Sequence, residues 1–395
     1  MRNNLNNFFV ERVKHFKHMA SLSNTFFFYL FAWGLVTPIF NIHINEVTNS
    51  LFLSGIIFSV FGFARIFFDP SIGLLCDRVN PKRLLQGSLL SYTLIFFLYT
   101  IANNFYLLLI VRVLHAIACA MLWISGWTLV RLKSKGNSAQ EEISVWYSVQ
   151  YIAYVIAPLI GGSLITMFSW QPVYYLASIT AFIAFVYASI NVKSVHTSNN
   201  SKKRFRDLWH QFFINKSSSI RLVLLTFLEI LIVIGFYEFM PLLLDQAGLN
   251  IEEISVVFAL AYTTPFILFP VIIGVISDKY GRKIPTAIGL IIISFGLLLF
   301  CNASTFTQFL FYTFIIVTGD AFVNLSFNAE LNDMTPKNSA GGFTGIFEMI
   351  KDLAVAIGPL LVGVLSAVTN ISFAFIIMSV MSLGTILVLK GFKNF

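Results

Sequence analysis

The stretch LLLIVRVLHAIACAMLWISGW, residues 107–127, carries a single charged side chain, Arg112. An α-helix needs about 20 mainly apolar residues to cross the hydrocarbon core of a bilayer, so this run predicts a membrane-spanning helix. A transmembrane β-strand would instead show about ten residues of alternating hydrophobicity. No alternation is present here, and the stretch therefore predicts an all-helical membrane protein.

Similar apolar runs fill most of the chain. Of its 395 residues, 57% are hydrophobic and 11% are charged, which leaves too few polar side chains to cover a soluble globule. We expect the first run to be retained as a span, because it is longer than the short core of a cleavable signal peptide. The twelve predicted spans are residues 21–44, 51–75, 84–102, 106–130, 142–168, 173–192, 221–244, 252–277, 284–302, 307–329, 341–368 and 372–391.

Positive charge is confined to alternate loops. Together with both termini, these segments hold 23 of the 26 lysines and arginines, whereas the loops at 45–50, 103–105, 169–172, 245–251, 303–306 and 369–371 hold none. Because cytoplasmic loops carry the excess of Lys and Arg in membrane proteins, both termini are expected in the cytoplasm. The protein is expected in the plasma membrane, as in the inner membrane of a bacterium or archaeon. This distribution explains the net charge of +8 without a nucleic-acid partner.

The longest polar segment, residues 193–220, divides the chain. It separates a six-helix bundle at 21–192 from a second at 221–391, with cytoplasmic ends at 1–20 and 392–395. Within it, apolar residues recur at helical spacing among lysines and arginines: Phe205, Leu208, Trp209, Phe212 and Phe213. The pattern predicts an amphipathic helix on the cytoplasmic membrane surface, and the alternative is a helix that binds a soluble partner.

Two charged stretches interrupt the apolar pattern, GLLCDRVNPKR at 73–83 and GVISDKYGRKI at 274–284. A carboxylate at a helix end can pair with nearby arginines and face the positive N-terminus of an adjacent helix, which would hold one side of the protein shut. The alternative is that these charges only fix the topology. One offset of 201 residues relates Gly73 to Gly274, Asp77 to Asp278, Arg78 to Lys279, Lys82 to Lys283, Pro158 to Pro359 and Gly162 to Gly363. It predicts two pseudo-symmetric six-helix bundles, the arrangement from which alternating access is built.

These stretches, with AYVIAPLIGG at 153–162, AIGPLLVG at 356–363 and GLVTP at 34–38, resemble signatures of the major facilitator superfamily, in particular its twelve-span drug:proton antiporter branch. The resemblance covers essentially the whole chain and implies the major facilitator fold. It implies a conformational latch at Gly73, Asp77, Arg78, Arg83, Gly274, Asp278, Lys279 and Arg282. It also implies a helix-bending motif, associated with exporters, at Pro158, Gly161, Gly162, Gly358 and Pro359.

The sequence departs from the family pattern at three points, one of which is the pair of alanines, Ala153 and Ala157, at the first two glycine positions of the helix-5 signature. Asn80 and Pro81 replace Gly and Arg in the first latch, where Asn is expected to tolerate the left-handed backbone of the missing glycine. Arg112 matches the arginine of the helix-4 signature, but His115, Ala116 and Ala118 follow it in place of the family's Gln and two glycines. In related antiporters this arginine tunes a proton-carrying acid, so the resemblance makes Arg112 a candidate for that role.

Nine charged residues fall inside the predicted spans: Arg65, Asp69, Arg112, Glu229, Glu238, Asp320, Glu348, Lys351 and Asp352. A charge at the centre of a membrane helix costs about 2.5 kcal/mol or more, so each one needs a partner or a function. Arg65 and Asp69, spaced i and i+4, are expected to form an ion pair on one helix. Glu348, Lys351 and Asp352 are expected to form a local network.

Glu229, Glu238 and Asp320 have no basic neighbour at helical spacing. The implied fold lines a central cavity with spans 1, 4, 7 and 10, and these acids lie on spans 7 and 10. Removal from water favours the neutral form of a carboxylic acid, which suits a group that loads and releases protons near neutral pH. The proton-coupling candidates are therefore Asp320, Glu229 and Glu238, together with Arg112. Pairing of the acids with Arg112 or Lys351 is the alternative.

Aromatic and amide side chains on the same four spans are candidates for lining a substrate cavity: Trp33, Asn41, His115, Trp123, Trp127, Tyr237, Asn324 and Asn328. An aromatic, net acidic pocket suits an amphipathic or cationic organic molecule through apolar burial and cation–π contact. The alternative is that these rings pack or face lipid, because phenylalanine alone occurs 43 times in the chain.

Together these features predict a secondary transporter, not an enzyme, that exports a small amphipathic or cationic organic compound in exchange for protons. The alternatives are an importer or exchanger of a metabolite such as a sugar, amino acid or siderophore, and a facilitator that translocates lipid. No cofactor or metal is expected, and Cys76, Cys119 and Cys301 lack metal-ligand spacing. The expected partners are the solute, protons and the lipid bilayer, and the protein is expected to be a monomer.

Overall fold

The computed structural model describes residues 2–133, 139–194, 209, 212–213, 216–334 and 340–391. Over these residues the chain forms fourteen α-helices and one π-helical segment, Val257–Tyr262. The helices are α1 (Arg2–Thr48), α2 (Leu51–Arg78), α3 (Pro81–Tyr99), α4 (Phe105–Lys133), α5 (Ala139–Met167), α6 (Trp170–Asn191), α7 (Lys216–Gln246), α8 (Ile251–Val256), α9 (Thr264–Leu268), α10 (Pro270–Tyr280), α11 (Lys283–Cys301), α12 (Phe306–Met334), α13 (Ala340–Val368) and α14 (Ile371–Gly391). The prediction of an all-helical membrane protein is confirmed.

Eleven helical stretches in the described part of the chain are long and apolar enough to cross a membrane. The predicted span at 84–102 is not among these stretches. It corresponds to α3, which begins with the polar sequence PKR and is therefore less apolar over its length. We expected one regular helix at the predicted span 252–277. The structure instead has a succession of α8, the π-helical segment, α9 and α10 there. Pro265 and Pro270 lie at the starts of α9 and α10 and lack the backbone N–H that would continue the preceding turn.

The loop before α3 folds differently from the expectation for Asn80. The residue has φ −55° and ψ 121°, so it does not adopt the left-handed backbone that we predicted. Its side chain instead accepts a hydrogen bond from the backbone N–H of Lys82, and Pro81 occupies the first turn of the helix. Asn followed by Pro is a favourable start for a helix. The second copy keeps a glycine turn, since Gly281 has φ +78°.

The chain divides into two compact units. Unit 1 comprises Met1–Thr37, Phe67–Asn103 and Val113–Asn199, and unit 2 comprises Pro38–Ile66, Asn104–Arg112 and Asn200–Phe395. The helices α1, α2 and α4 therefore contribute one part to each unit. Parts of three helices from the first half of the sequence belong to the same compact unit as the second half.

Within unit 1, α3 packs along α6, and polar side chains join the two helices. Lys82 donates through Nζ to the carbonyl of Ser189 at 2.8 Å, and the Ser178 hydroxyl donates to the carbonyl of Thr93 at 2.7 Å. A close contact also forms between α1 and α5, where a Cβ added to Gly161 would lie 2.0 Å from the carbonyl oxygen of Leu35. The small residue at 161 therefore allows the two backbones to touch.

Within unit 2, small residues create three further close contacts. The helices α11 and α12 meet at Gly289 and Gly319, where an added Cβ would lie 2.6 or 2.7 Å from the other glycine's carbonyl oxygen. Gly358 of α13 touches the backbone of α7, and Gly55 of α2 touches the backbone of α13 at Gly363. The contact at Gly358 holds α7, the helix with two of the predicted acids, against α13.

Candidate functional site

Two buried carboxylates face each other in unit 2. Glu229 of α7 is fully buried, and Asp320 of α12 is 4% exposed. The side chains of Glu229 and Asp320 interact directly, and Lys351 of α13 acts electrostatically on both. The Tyr237 hydroxyl, two turns along α7 from Glu229, donates a hydrogen bond of 2.5 Å to Oδ2 of Asp320. The structure therefore brings together two of the predicted proton-coupling acids and one predicted cavity residue.

The two acids differ in their hydrogen bonds. Oδ2 of Asp320 accepts from Tyr237, whereas both carboxylate oxygens of Glu229 are buried without a donor among the described groups. Two adjacent carboxylates cannot both stay charged in a dry site at low cost, because like charges repel and neither is solvated. A single proton between them removes one charge and supplies the missing hydrogen bond. The arrangement is therefore able to hold one proton, as paired carboxyl groups do in aspartic proteases.

The third predicted acid, Glu238, lies in a different environment in unit 2. Its Oε1 is 3.6 Å from Nη2 of Arg112, and its Oε2 accepts a hydrogen bond of 2.8 Å from the Asn41 side chain. The Asn41 amide also donates to the Glu238 backbone carbonyl at 2.7 Å. The Arg112 side chain is buried between the rings of Phe40 and Phe61, whose centroids lie 4.8 and 4.6 Å from its Cζ. The Glu238 carboxylate therefore has two polar partners, in contrast to Glu229.

Two further buried ion pairs connect helices of unit 2. Nη1 of Arg65 lies 2.9 Å from Oδ1 of Asp352, which joins α2 to α13. Arg221 of α7 bonds Glu330 of α12, and both side chains are nearly buried. This second pair was not predicted, because Arg221 counts as a loop charge in the sequence and Glu330 lies one residue beyond the predicted span 307–329. A usable signal was an acid at the predicted end of span 10 and a base at the predicted start of span 7.

The second latch copy forms a compact cluster around Arg282. Its guanidinium donates to Oδ2 of Asp333 at 3.0 Å, to Oδ1 of Asp278 at 2.8 Å and to the Ser277 hydroxyl at 2.7 Å. The hydrogen bonds to Asp333 and Asp278 raise the pKa of Arg282 above its ordinary value. Asp333, at the end of α12, is a partner that was not predicted from the sequence. Arg282 thus links the end of α10 to the end of α12 within unit 2.

The other latch residues are more loosely placed. Arg78 and Arg83 are exposed, and a Cβ at Gly73 or Gly274 would meet no atom within 4 Å. Nζ of Lys279 lies 5.1 Å from the ring centroid of Tyr280. The side chain of Asp77 lies outside the described residues, as do Phe205 and Leu208 of the predicted linker helix. The latch at Asp77 therefore stays a prediction.

The predicted helix-bending residues lie at helix contacts. Pro158 is inside α5 and Pro359 is inside α13. Gly161 and Gly162 are buried, and a Cβ at Gly358 would lie 2.6 Å from the carbonyl oxygen of Leu231. The positions Gly161 and Gly358 therefore serve as points of close backbone approach.

Four predicted cavity residues belong to unit 1 and are engaged in packing there. His115 is 2% exposed, and its Nδ1 forms a hydrogen bond of 3.1 Å with the Tyr99 hydroxyl. The centroid of its ring lies 4.9 Å from that of Trp33. Trp123 and Trp127 surround the buried Trp146, with ring centroids at 6.3 and 4.8 Å. Trp146 was not singled out from the sequence. Trp33, Trp123 and Trp127 are half-buried.

The remaining cavity candidates belong to unit 2. Asn41 donates a hydrogen bond to Glu238 and Tyr237 donates one to Asp320, so each acts on one of the predicted acids. Asn328 of α12 donates to the side-chain oxygen of Asn324 at 2.8 Å. Among the described residues, no cluster of three or more His, Cys, Asp or Glu side chains is arranged to hold a metal ion.

Comparison with known proteins identifies a family whose model matches this chain. The family model of the Major Facilitator Superfamily matches residues 22–262 and 222–393. An uncharacterised MFS-type transporter of Methanocaldococcus jannaschii is 21% identical over 343 residues, which cover 86% of this chain and 88% of that protein.

Two further similarities are more limited, the first to part of each chain and the second to the fold. The multidrug resistance protein MdtG of Enterobacter lignolyticus is 26% identical over 188 residues, 47% of this chain and 45% of that protein, so the match spans less than half of either. The crystal structure of the nucleoside transporter NupG superposes with a TM-score of 0.79 over 96% of this chain and 99% of that one, at 15% identity, which is a likeness of fold.

Proposed function

Because the chain belongs to the major facilitator superfamily, whose model matches it nearly from end to end, we propose that it exports a small amphipathic or cationic organic compound in exchange for protons. The resemblance of the sequence signatures to this superfamily is confirmed, and the chain is a multi-pass membrane transporter rather than an enzyme. Proton coupling, export and the class of solute are our proposals. So is the orientation, with both termini in the cytoplasm of a bacterial or archaeal cell.

The facing carboxylates of Glu229 and Asp320 carry the proposal of proton coupling. Both are buried in spans, and Glu229 has no hydrogen-bond donor among the described groups, so a shared proton satisfies the pair. Lys351, which acts on both acids, compensates the one negative charge that remains. When the site meets water, the pair can release this proton, because solvation restores the charged forms.

Exchange requires that the proton and the solute compete. A cationic group near Glu229 and Asp320 would stabilise both carboxylates in their charged form and so expel the shared proton. Protonation would in turn weaken the attraction for the cation. The half-buried rings of Tyr237 and Tyr262, with centroids 4.6 Å apart in unit 2, offer apolar and cation–π contact for such a molecule. The partial likeness to MdtG supports export of a drug-like compound.

A transport assay in proteoliposomes tests the proposal. Ethidium is a permanently charged aromatic cation and serves as the probe, with potassium and valinomycin holding the membrane potential at zero. A proton antiporter concentrates ethidium in an acidic lumen, because protons leaving the vesicle drive the probe inward whichever way the protein is inserted. A proton symporter concentrates it in an alkaline lumen. Accumulation in the alkaline lumen, or none in either, would contradict our proposal.

Matched variants connect the assay to the site. Glu229→Gln and Asp320→Asn each remove one carboxylate, and both are expected to abolish the accumulation that the pH gradient drives. Glu46→Gln is the control, because Glu46 is an exposed acid near the end of α1, outside the pair of facing carboxylates. Full accumulation by both site variants would show that the facing carboxylates do not couple protons to transport.

A further inference from the structure

A cavity of about 450 Å³ lies in unit 2, and neither Glu229 nor Asp320 lines it. Its walls come from four parts of the chain: Ile66 of α2, Leu224 and its neighbours on α7, Leu353 and its neighbours on α13, and the linker residues Trp209 and Phe213. Every lining side chain is apolar or aromatic. The two linker rings contact each other, with centroids 5.0 Å apart, and form one end of the cavity.

The depth of the cavity matches one leaflet of a membrane. Along α7 the lining runs from Ile220 to Phe227, seven positions further on and about 10 Å along the helix. On α2, Ile66 lies twelve positions before Arg78, the last residue of the helix, and therefore about 18 Å from that end. Half of the hydrocarbon core measures about 15 Å. The cavity thus extends from the linker, at the membrane surface, to the region of the bilayer midplane.

The lining is accessible from outside the protein. Ile220 is 46% exposed, Leu224 is 38% exposed and Leu353 is 41% exposed, although all three lie on membrane-spanning helices. At this depth the surrounding medium consists of acyl chains and contains no water that could fill an apolar slot. Trp209 at the shallow end is suited to the level of the lipid headgroups, where tryptophan is enriched.

The linker sequence is rich in positive charge just before Trp209. Lys202, Lys203, Arg204 and Arg206 precede Trp209 by three to seven positions in the sequence, and they lie outside the described residues. Basic residues beside a membrane surface attract anionic lipids. We infer that the cavity binds one acyl chain of an anionic phospholipid from the leaflet next to the linker, held between the linker, α2, α7 and α13. This site is separate from the proposed proton exchange and does not depend on it.

Lipid retention by the full-length protein tests the inference. The protein is reconstituted in vesicles of equal phosphatidylglycerol and phosphatidylcholine, released into mild detergent and analysed by native mass spectrometry. We expect retained phosphatidylglycerol to exceed phosphatidylcholine by about fivefold or more, the selectivity of at least one basic contact. Leu224→Trp and Leu353→Trp, which fill the cavity, are expected to lose this lipid. Leu387→Trp adds the same ring at a position of α14 that is 70% exposed and should retain it.

Each outcome supports or overturns a part of the inference. Equal retention by Leu224→Trp and Leu387→Trp would overturn the site, and equal retention of the two lipids would overturn the choice of an anionic headgroup. Wild-type protein that retains no lipid would overturn both and leave the cavity to a protein partner. If the cavity-filling variants fail to fold, quenching by phospholipids brominated on the acyl chain gives a second measurement. The part of the quenched emission that disappears in Trp209→Phe comes from Trp209. If Trp209→Phe loses none of the quenched emission, the inference is contradicted.

Discussion

Replacement of Glu238 by Gln removes the charge that faces Arg112 in unit 2. At 3.6 Å, two unit charges attract by about 4–5 kcal/mol at an effective dielectric constant of about 20. Because desolvation already offsets much of this attraction, the pair itself contributes less. Its rupture still leaves a buried guanidinium without an anion, which costs about 3–5 kcal/mol. We expect Glu238→Gln to lower the free energy of unfolding by about 3 kcal/mol, since Arg112 keeps its contacts with Phe40 and Phe61.

A double-mutant cycle measures the interaction directly. Arg112→Met removes the cation that faces the partly exposed Glu238, and we expect a loss of about 1–3 kcal/mol. The double variant removes both charges and should be more stable than the sum of the single losses predicts, by about 2 kcal/mol or more. The measurement is reversible denaturation in mixed micelles, followed by circular dichroism. Losses that add within about 0.5 kcal/mol would refute the reasoning, because they would mean that the two charges do not interact.

An exposed ion pair provides the control for this cycle. Glu348 and Lys351 are 3.2 Å apart and about one quarter to two fifths exposed. Pairs in such positions contribute about 0.5 kcal/mol or less, because water solvates and screens both charges. Glu348→Gln is therefore expected to change the free energy of unfolding by no more than this. A control loss as large as that of Glu238→Gln would show that burial does not govern these pairs.

Two further changes test contacts elsewhere in the protein. Gly161→Ala should destabilise the protein by about 1–3 kcal/mol in the same denaturation assay, because its Cβ would lie 2.0 Å from the carbonyl oxygen of Leu35, whereas Gly73→Ala has open space and should not; equal effects would contradict the contact. Arg221→Gln should cost about 3–5 kcal/mol, since it leaves Glu330 buried without its cation, and a loss below about 1 kcal/mol would contradict the pair.

The sequence predicts the helical membrane fold well because the spans depend on composition alone, as in residues 107–127. The prediction of a regular helix is wrong at the eighth span, 252–277. The sequence shows Pro265 and Pro270, but nothing in its composition indicates the π-helical segment. The prediction is wrong also at Asn80, where capping of α3 competes with the left-handed turn that we expected.

The candidate site was predicted in its members but not in their pairing. Glu229 and Glu238 look equivalent in the sequence, because both are single acids on an apolar helix. The structure separates them through contacts with distant residues, since Glu238 meets Asn41 and Arg112, whereas Glu229 meets Asp320. Such contacts depend on how helices pack, which helical periodicity alone does not encode.

Proton release on solute binding tests the central claim most directly. Ethidium is added to purified protein in unbuffered detergent solution, and a pH indicator reports the protons set free. Our account predicts about one proton per bound ethidium for the wild type, because Glu229 and Asp320 share a single proton, and none for the double variant Glu229→Gln with Asp320→Asn. Binding of ethidium with the same proton release from the double variant, or with no release from the wild type, would contradict it.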